Sequence, residues 1–243
     1  MRQCLFSILV IIATSTGIEA SCIDPSTLVR STVSITREFS EEEGKAAPGT
    51  LGIRGTGWFL SARSIVTAAH VVEAMHLSAQ DWKEIEIRER ESKWLIPARI
   101  LRIAGFQSEK MAVLELGVAF PSAAALPIRT EPLVPEERVV SLAYPNNHLR
   151  FAQGRFVEFG ADVRFVGAAL LEMQDGNDRL VLDHGASGAP VLDCEGRVVA
   201  VVSNAITQTI SFLAAAVRTS TAWQTPNVVS IPIQALKNFT RPD

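Results

Sequence analysis

From residue 27 onward the chain is a succession of short apolar or alternating runs parted by turn residues, the pattern of an all-β sandwich or barrel. Residues 27–36 alternate and predict a first strand, residues 53–60 and 64–67 the next two, and residues 68–75 a single short helix. Glu84-Ile85-Glu86-Ile87-Arg88 alternates strictly, so one face of that strand is expected to be wet. Residues 93–103 carry the pattern past Pro97, where an edge or a bulge is expected because proline cannot donate to a ladder. Residues 111–116 close this first group. Residues 40–49 hold three successive glutamates, Gly44 and Pro48-Gly49, and read as an exposed loop.

A crossing follows. Residues 117–136 contain Pro121, Pro127, Pro132 and Pro135 with little periodicity. A second set of strands is expected at 137–144, 151–159, 163–171, 179–182, 190–192, 197–203 and 210–217. Ile233, Leu236 and Phe239 fall at helical spacing behind Pro232, which predicts a C-terminal helix over 232–239. No internal repeat is visible.

The first twenty residues carry a different pattern. Arg2 precedes an apolar run over residues 5–13, too short to span a bilayer, and small residues lead to Ile18-Glu19-Ala20. That layout predicts a secretory signal peptide over 1–20 and a secreted or periplasmic mature chain, whose two halves are then 21–120 and 121–243. An uncleaved anchor is the alternative; a lipoprotein signal ending at Cys22 is disfavoured by Glu19. Cys4 would leave with the leader. Cys22 and Cys194 then remain in an oxidising compartment, where a disulfide between them or two separate thiols both fit the sequence.

Composition narrows the classes of partner. The chain has 243 residues, 47% hydrophobic and 20% charged, with a formal charge of -3 and scattered basic residues. Neither a nucleic acid nor, for the mature form, an anionic membrane is expected, since either would call for a basic stripe. Metal chemistry is also unsupported: His70 and His76 are not spaced as a ligand pair, and no paired cysteine motif exists. No cofactor is implied.

The residues that carry chemistry lie in two stretches. Gly55-Thr56-Gly57-Trp58-Phe59-Leu60 leads to Thr67-Ala68-Ala69-His70, and His184-Gly185-Ala186-Ser187-Gly188-Ala189-Pro190 puts a serine in a glycine-rich bend. A serine hydroxyl needs a base to take its proton as it attacks, and an imidazole can take that proton and later return it. Glycines at 185 and 188 allow positive φ, so the backbone N–H groups of Gly185 and Ser187 can converge as an oxyanion hole. The α/β-hydrolases also use a serine in a glycine-rich turn, but their histidine follows the serine. Here the four histidines are His70, His76, His148 and His184, all before Ser187.

Both stretches, in this order, resemble the trypsin-like serine peptidase family, and the likeness extends over essentially the whole mature chain. The resemblance implies a chymotrypsin-like fold of two six-stranded antiparallel β-barrels, with a short helix after His70 and a helix at the C-terminus. It implies Ser187 as nucleophile, His70 as base, a polypeptide substrate, and a stand-alone peptidase domain. It also places Val181 at the base of the substrate pocket and Val201-Val202-Ser203-Asn204 along one wall, so a small or medium apolar side chain is expected there. His184 is expected at the pocket rim.

One position departs from the family. The aspartate that orients the histidine is expected two residues before Ala112, where this chain has Lys110. A cation beside His70 would disfavour imidazolium. Glu109 could reach His70 from a shifted start of the strand, another acid could serve through a loop, or the chain could be a pseudoprotease that keeps the fold as a binding or scaffold module.

Overall fold

The computed structural model describes residues 22–46, 51–106, 109–160, 166–175, 182, 184–205, 208–212, 215–219 and 226–236. The expected leader and most of the strand expected at 179–182 lie outside these residues. Among them no helix is long and apolar enough to cross a membrane.

The chain folds into two closed antiparallel barrels. A 3₁₀ turn, Pro25–Leu28, capped by Asp24, opens it. Then come β1 (Thr32–Glu38), a short helix α1 (Glu41–Ala46), β2 (Gly52–Ser61), β3 (Ser64–Ala68) and α2 (Ala69–Ala74). Strands β4 (Lys83–Glu89), β5 (Ser92–Gly105) and β6 (Lys110–Leu116) complete a barrel of order β1-β2-β3-β6-β5-β4. After the proline-rich crossing the second barrel begins with β7 (Arg138–Ala143), β8 (Arg150–Phe159), β9 (Ala169–Gln174), β10 (Pro190–Leu192) and β11 (Val198–Ala205). A hairpin of β12 (Gln208–Phe212) and β13 (Ala215–Thr219) intervenes before β14 (Val228–Pro232), and a 3₁₀ turn, Ile233–Leu236, follows. The second order, β7-β8-β9-β14-β11-β10, is the first order repeated. The two halves thus share one topology that no sequence repeat reveals.

Alternation along the strands explains their nearly continuous apolar runs. Phe59, Ile65, Ala112 and Leu114 point into the first barrel. Their neighbours Trp58, Val66, Met111 and Val113 point out, against Val140, Leu142, Leu192, Val201 and Ile231 of the second barrel. Both faces of β2, β3 and β6 are therefore dry. Successive residues on a strand face opposite ways, so a two-sided core needs apolar residues at every position. Val139, Val191 and Val199 fill the second barrel in the same manner.

Several sequence expectations are corrected. The first strand starts at Thr32 and not at residue 27, because Asp24 caps a turn ahead of it. The expected loop at 40–49 contains α1: Ser40 Oγ accepts from the Glu43 N–H at 3.3 Å while the Glu43 carboxylate accepts from the Ser40 N–H at 3.1 Å. This is a capping box, and the spacing of Ser40 and Glu43 was its sequence signature. The Arg37 guanidinium and that N–H hold the Glu43 carboxyl down at about 2. Pro97 faces Glu84 in the β4–β5 ladder and lies just beyond the β5–β6 ladder, which begins at Ala98, so it sits at an edge as expected; the bulge falls between Ile100 and Arg102. The strand expected at 163–171 is β9, displaced to Ala169–Gln174. The run at 210–217 is part of the β12–β13 hairpin, outside the barrel, and the sixth barrel strand is the fully buried β14. The C-terminal helix is, among the described residues, a single 3₁₀ turn.

Cys22 and Cys194 are joined by a disulfide across 172 residues of sequence, and the Ile23 N–H donates to the Cys194 carbonyl at 3.1 Å. The bridge ties the start of the described chain to the turn between β10 and β11. Closing so long a loop restricts the unfolded chain, so replacing both cysteines with serine should cost about 5 kcal/mol. Urea unfolding of the oxidised and the doubly substituted protein, each extrapolated to water with its own m value, checks this.

Candidate active site

His70 is delivered by the end of β3. The β3–β6 ladder ends at Ala68 opposite Met111, and the chain then turns into α2. Ala69, Val71 and Val72 are buried and anchor that short helix in the first barrel. His70, between them, is left open to a cleft at the seam of the barrels.

Ser187 comes from the loop between β9 and β10. Gly185 and Gly188 on either side have φ of 95° and 94°, a region closed to most side chains. A Cβ at Gly188 would also lie 2.1 Å from the Thr56 carbonyl oxygen and from Thr67 Oγ1. The loop is thus pressed onto the first barrel, and Thr56 holds it there. The Thr56 N–H donates to the Ser187 carbonyl at 2.9 Å, and its hydroxyl donates to the Gly185 carbonyl at 2.6 Å. The same hydroxyl accepts from the Tyr144 N–H at 2.9 Å, while Thr67 Oγ1 donates to the Thr56 carbonyl at 2.7 Å.

The cleft has a volume of about 390 Å³, and His70, Gly185 and Ser187 all line it. The Ser187 hydroxyl donates to the Ser203 carbonyl at 2.8 Å. Among the described residues the N–H groups of Gly185 and Ser187 meet no acceptor. The His184 carbonyl accepts from the Asn146 N–H at 3.3 Å. In a trans peptide the two polar groups point opposite ways, so the Gly185 N–H faces away from Asn146. Two unpaired donors beside one hydroxyl can stabilise an oxyanion.

Glu109 immediately precedes β6 and its charge acts on His70, but among the described residues no hydrogen bond or ion pair joins the two side chains. Met111 and Val113 face the seam, and alternation gives the 109 side chain the same direction. Its carboxylate accepts a hydrogen bond from Ser203 Oγ across that seam. Lys110 has the opposite parity and is exposed. Burial against the surrounding protein lowers the His70 pKa, and the charges of Glu109 and Glu73 oppose that shift.

The other candidate residues are distributed as follows. Val181 lies outside the described residues. The Val201 and Val202 side chains are buried in the seam and in the second barrel, so their stretch reaches the cleft through Ser203 and Asn204. His184 is exposed at the cleft rim. Cys22 and Cys194 are bonded to each other, and neither lines the cleft. Thr56 and Thr67 were missed from sequence: their work is done through backbone partners far along the chain, which no local spacing encodes.

A family model of the trypsin-like peptidase domain matches residues 55–201, more than half of the chain. The chain belongs to the trypsin-like peptidase family. Solved structures agree on the fold. A protease of M. tuberculosis in its active form shares 17% identity over 95% of this chain and 92% of that one, with a TM-score of 0.57. The inactive form shares 18% over 87% and 88%, with a TM-score of 0.56. A serine endoprotease from Yersinia pestis shares 15%, covering 86% of this chain and 61% of the other, with a TM-score of 0.54. Among curated proteins none matches the sequence.

Two measurements test this trypsin-like site without requiring turnover. The His70 imidazole, followed by NMR, should titrate below the usual 6.5. Removing the Glu109 charge with Glu109→Gln should lower its midpoint further, because that carboxylate favours imidazolium. Thr56→Val keeps the volume but strands the Gly185 carbonyl and the Tyr144 N–H, and should cost about 3 kcal/mol in urea unfolding. Thr56→Ser should recover most of that loss.

Proposed function

We propose that this chain is an exported serine endopeptidase that cuts polypeptides through an acyl-enzyme. Ser187 is the nucleophile, His70 the base and then the acid, and Glu109 the orienting carboxylate. The observation that carries this reading is one cleft lined by His70, Ser187 and Gly185, with unpaired Gly185 and Ser187 N–H groups.

The Ser187 hydroxyl turns about its Cα–Cβ bond from the Ser203 carbonyl to an imidazole nitrogen of His70. As the oxygen attacks the scissile carbonyl, its proton passes to His70, and the carbonyl oxygen becomes an oxyanion held by the Gly185 and Ser187 N–H groups. His70 returns the proton to the leaving amine, and water then repeats the sequence on the ester. A lowered His70 pKa keeps the ring neutral, and so able to accept that proton, at neutral pH. Glu109, held by Ser203, stabilises imidazolium once it forms. Val181 and the Ser203–Asn204 wall favour a small or medium apolar side chain on the acyl side.

Export is supported by the leader-like residues 1–20 and by the Cys22–Cys194 disulfide, a bond that persists in oxidising compartments. The pseudoprotease reading has its own support in Lys110 at the family's aspartate position and in the Ser187 hydroxyl bonded away from the imidazole.

A fluorophosphonate probe separates the two. Labelling of Ser187 that is lost in Ser187→Ala and His70→Ala is the expected result. Glu109→Gln should slow it by up to about 10⁴-fold, the cost of neutralising a triad acid. Folded wild-type protein that takes no label would assign the chain to the binding class instead.

A further inference from the structure

The cleft has two unlike ends. At one, the Ser203 carbonyl holds the Ser187 hydroxyl and Asn204 stands exposed beside it. At the other, Arg54 of β2 lines the cleft together with His184 and Asn146 of the second barrel. Arg54 is exposed, and among the described residues its guanidinium has no ion pair and no hydrogen bond. Five other arginines, Arg37, Arg99, Arg129, Arg155 and Arg197, are paired with carboxylates, while exposed Arg30 and Arg150 are, like Arg54, without a side-chain partner among the described residues; what distinguishes Arg54 is its place in the cleft. Among the described residues the titratable side chains lining the cleft are Arg54, His70 and His184, so Arg54 brings the one permanent charge of that described lining, in a chain whose net charge is -3.

The path of β2 fixes where that cation lies relative to the chemistry. A Cβ at Gly55 would sit 3.3 Å from the Ser187 carbonyl oxygen, and the Thr56 N–H bonds that oxygen. Arg54 is the next residue outward along the strand. With β11 on the hydroxyl side of Ser187 and β2 on its carbonyl side, an extended substrate whose acyl half lies on the Ser203–Asn204 wall directs its leaving half toward β2 and Arg54. Extended chain rises about 3.3 Å per residue, so the first residues beyond the cut pass within reach of a long side chain anchored there.

We infer that Arg54 selects an acidic side chain in the first two residues on the leaving side of the scissile bond, making acidic polypeptide segments the preferred substrate class. The inference rests on the peptidase reading of the cleft and adds to it a choice of sequence. A guanidinium matches a carboxylate through two parallel N–H···O bonds, which a lysine could not reproduce.

The test uses quenched-fluorescent peptides with one acyl half and Asp, Ala or Lys at each of the first two leaving positions. Asp should exceed Lys by about fivefold in kcat/KM at low salt, the scale of a solvent-exposed ion pair, and the ratio should shrink at high salt. Arg54→Glu should invert the order, and Arg54→Lys should retain only part of it. Amidating the C-terminus should leave the preference intact; a preference lost on amidation would place the carboxylate at the chain end and overturn the side-chain assignment. Equal rates across the set, or an unchanged order in Arg54→Glu, would also overturn it. The same peptides binding to Ser187→Ala protein, followed by fluorescence anisotropy, should rank identically. If wild-type protein neither labels nor cleaves while the binding ranking holds, the peptidase reading fails and what stands is the choice of acidic segments by Arg54. If it labels and the ranking is absent, Arg54 fails alone.

Discussion

The site depends on one threonine. Thr56 lies on β2 of the first barrel, yet its N–H and hydroxyl reach the Ser187 and Gly185 carbonyls and its hydroxyl oxygen takes the Tyr144 N–H of the second. Each of these groups would be costly to leave unpaired at a buried seam, and here they satisfy one another. The consequence is geometric. The loop bearing Ser187 is held from the barrel that bears His70, so the two side chains share a cleft although 117 positions separate them in sequence. Gly188 completes the constraint, because the space a Cβ would need is already filled by Thr56 and Thr67.

The direction in which Glu109 points follows from strand parity. On β6, residues facing the seam alternate with residues facing the barrel, and a displacement of one residue exchanges the faces. A lysine at 110 is therefore not a cation inserted between His70 and Ser187; its direction is set by the same alternation that buries Ala112 in the barrel. Glu109 has the parity of Met111, and Ser203 Oγ meets its carboxylate from the opposite barrel. The interaction ties the Glu109 carboxylate to the residue whose carbonyl holds the Ser187 hydroxyl, so Glu109, β11 and Ser187 belong to one hydrogen-bonded chain.

Much of this was legible beforehand, for definite reasons. The strands from Gly52 to Leu116 carry apolar runs bounded by turn residues, and the short helix after β3 begins at the expected alanines. His70 and Ser187 stand in local patterns that survive without any knowledge of the fold. The errors fell where local and distant signals conflict. The three glutamates after Ser40 look like a solvated loop, but one of them closes a capping box and pairs with Arg37. The run at 210–217 has strand chemistry without a barrel partner, whereas β14 hides behind Pro226 and Asn227 and pairs with β11 and β9. Thr56 could not be found at all, since its partners are set by the docking of two barrels.

The described turn that bears Ser187 is held on its β10 side by backbone hydrogen bonds. The Gly188 N–H donates to the Val202 carbonyl, the Ala189 N–H to the Ala186 carbonyl, and the Val202 N–H to the Ala189 carbonyl. Beyond it, buried Asp193 accepts from the Glu195 and Arg197 N–H groups and from the Arg129 and Arg197 side chains, so its charge is compensated on every side. The disulfide at Cys194 fastens the same turn to the start of the described chain. What this scaffold leaves free is the torsion of the Ser187 side chain. A hydroxyl bonded to the Ser203 carbonyl can reach another staggered position without disturbing any of these bonds. In the proposed mechanism that rotation is the step from the observed arrangement to a reactive one, and a substrate that occupies the Ser203 carbonyl with its own N–H would favour it.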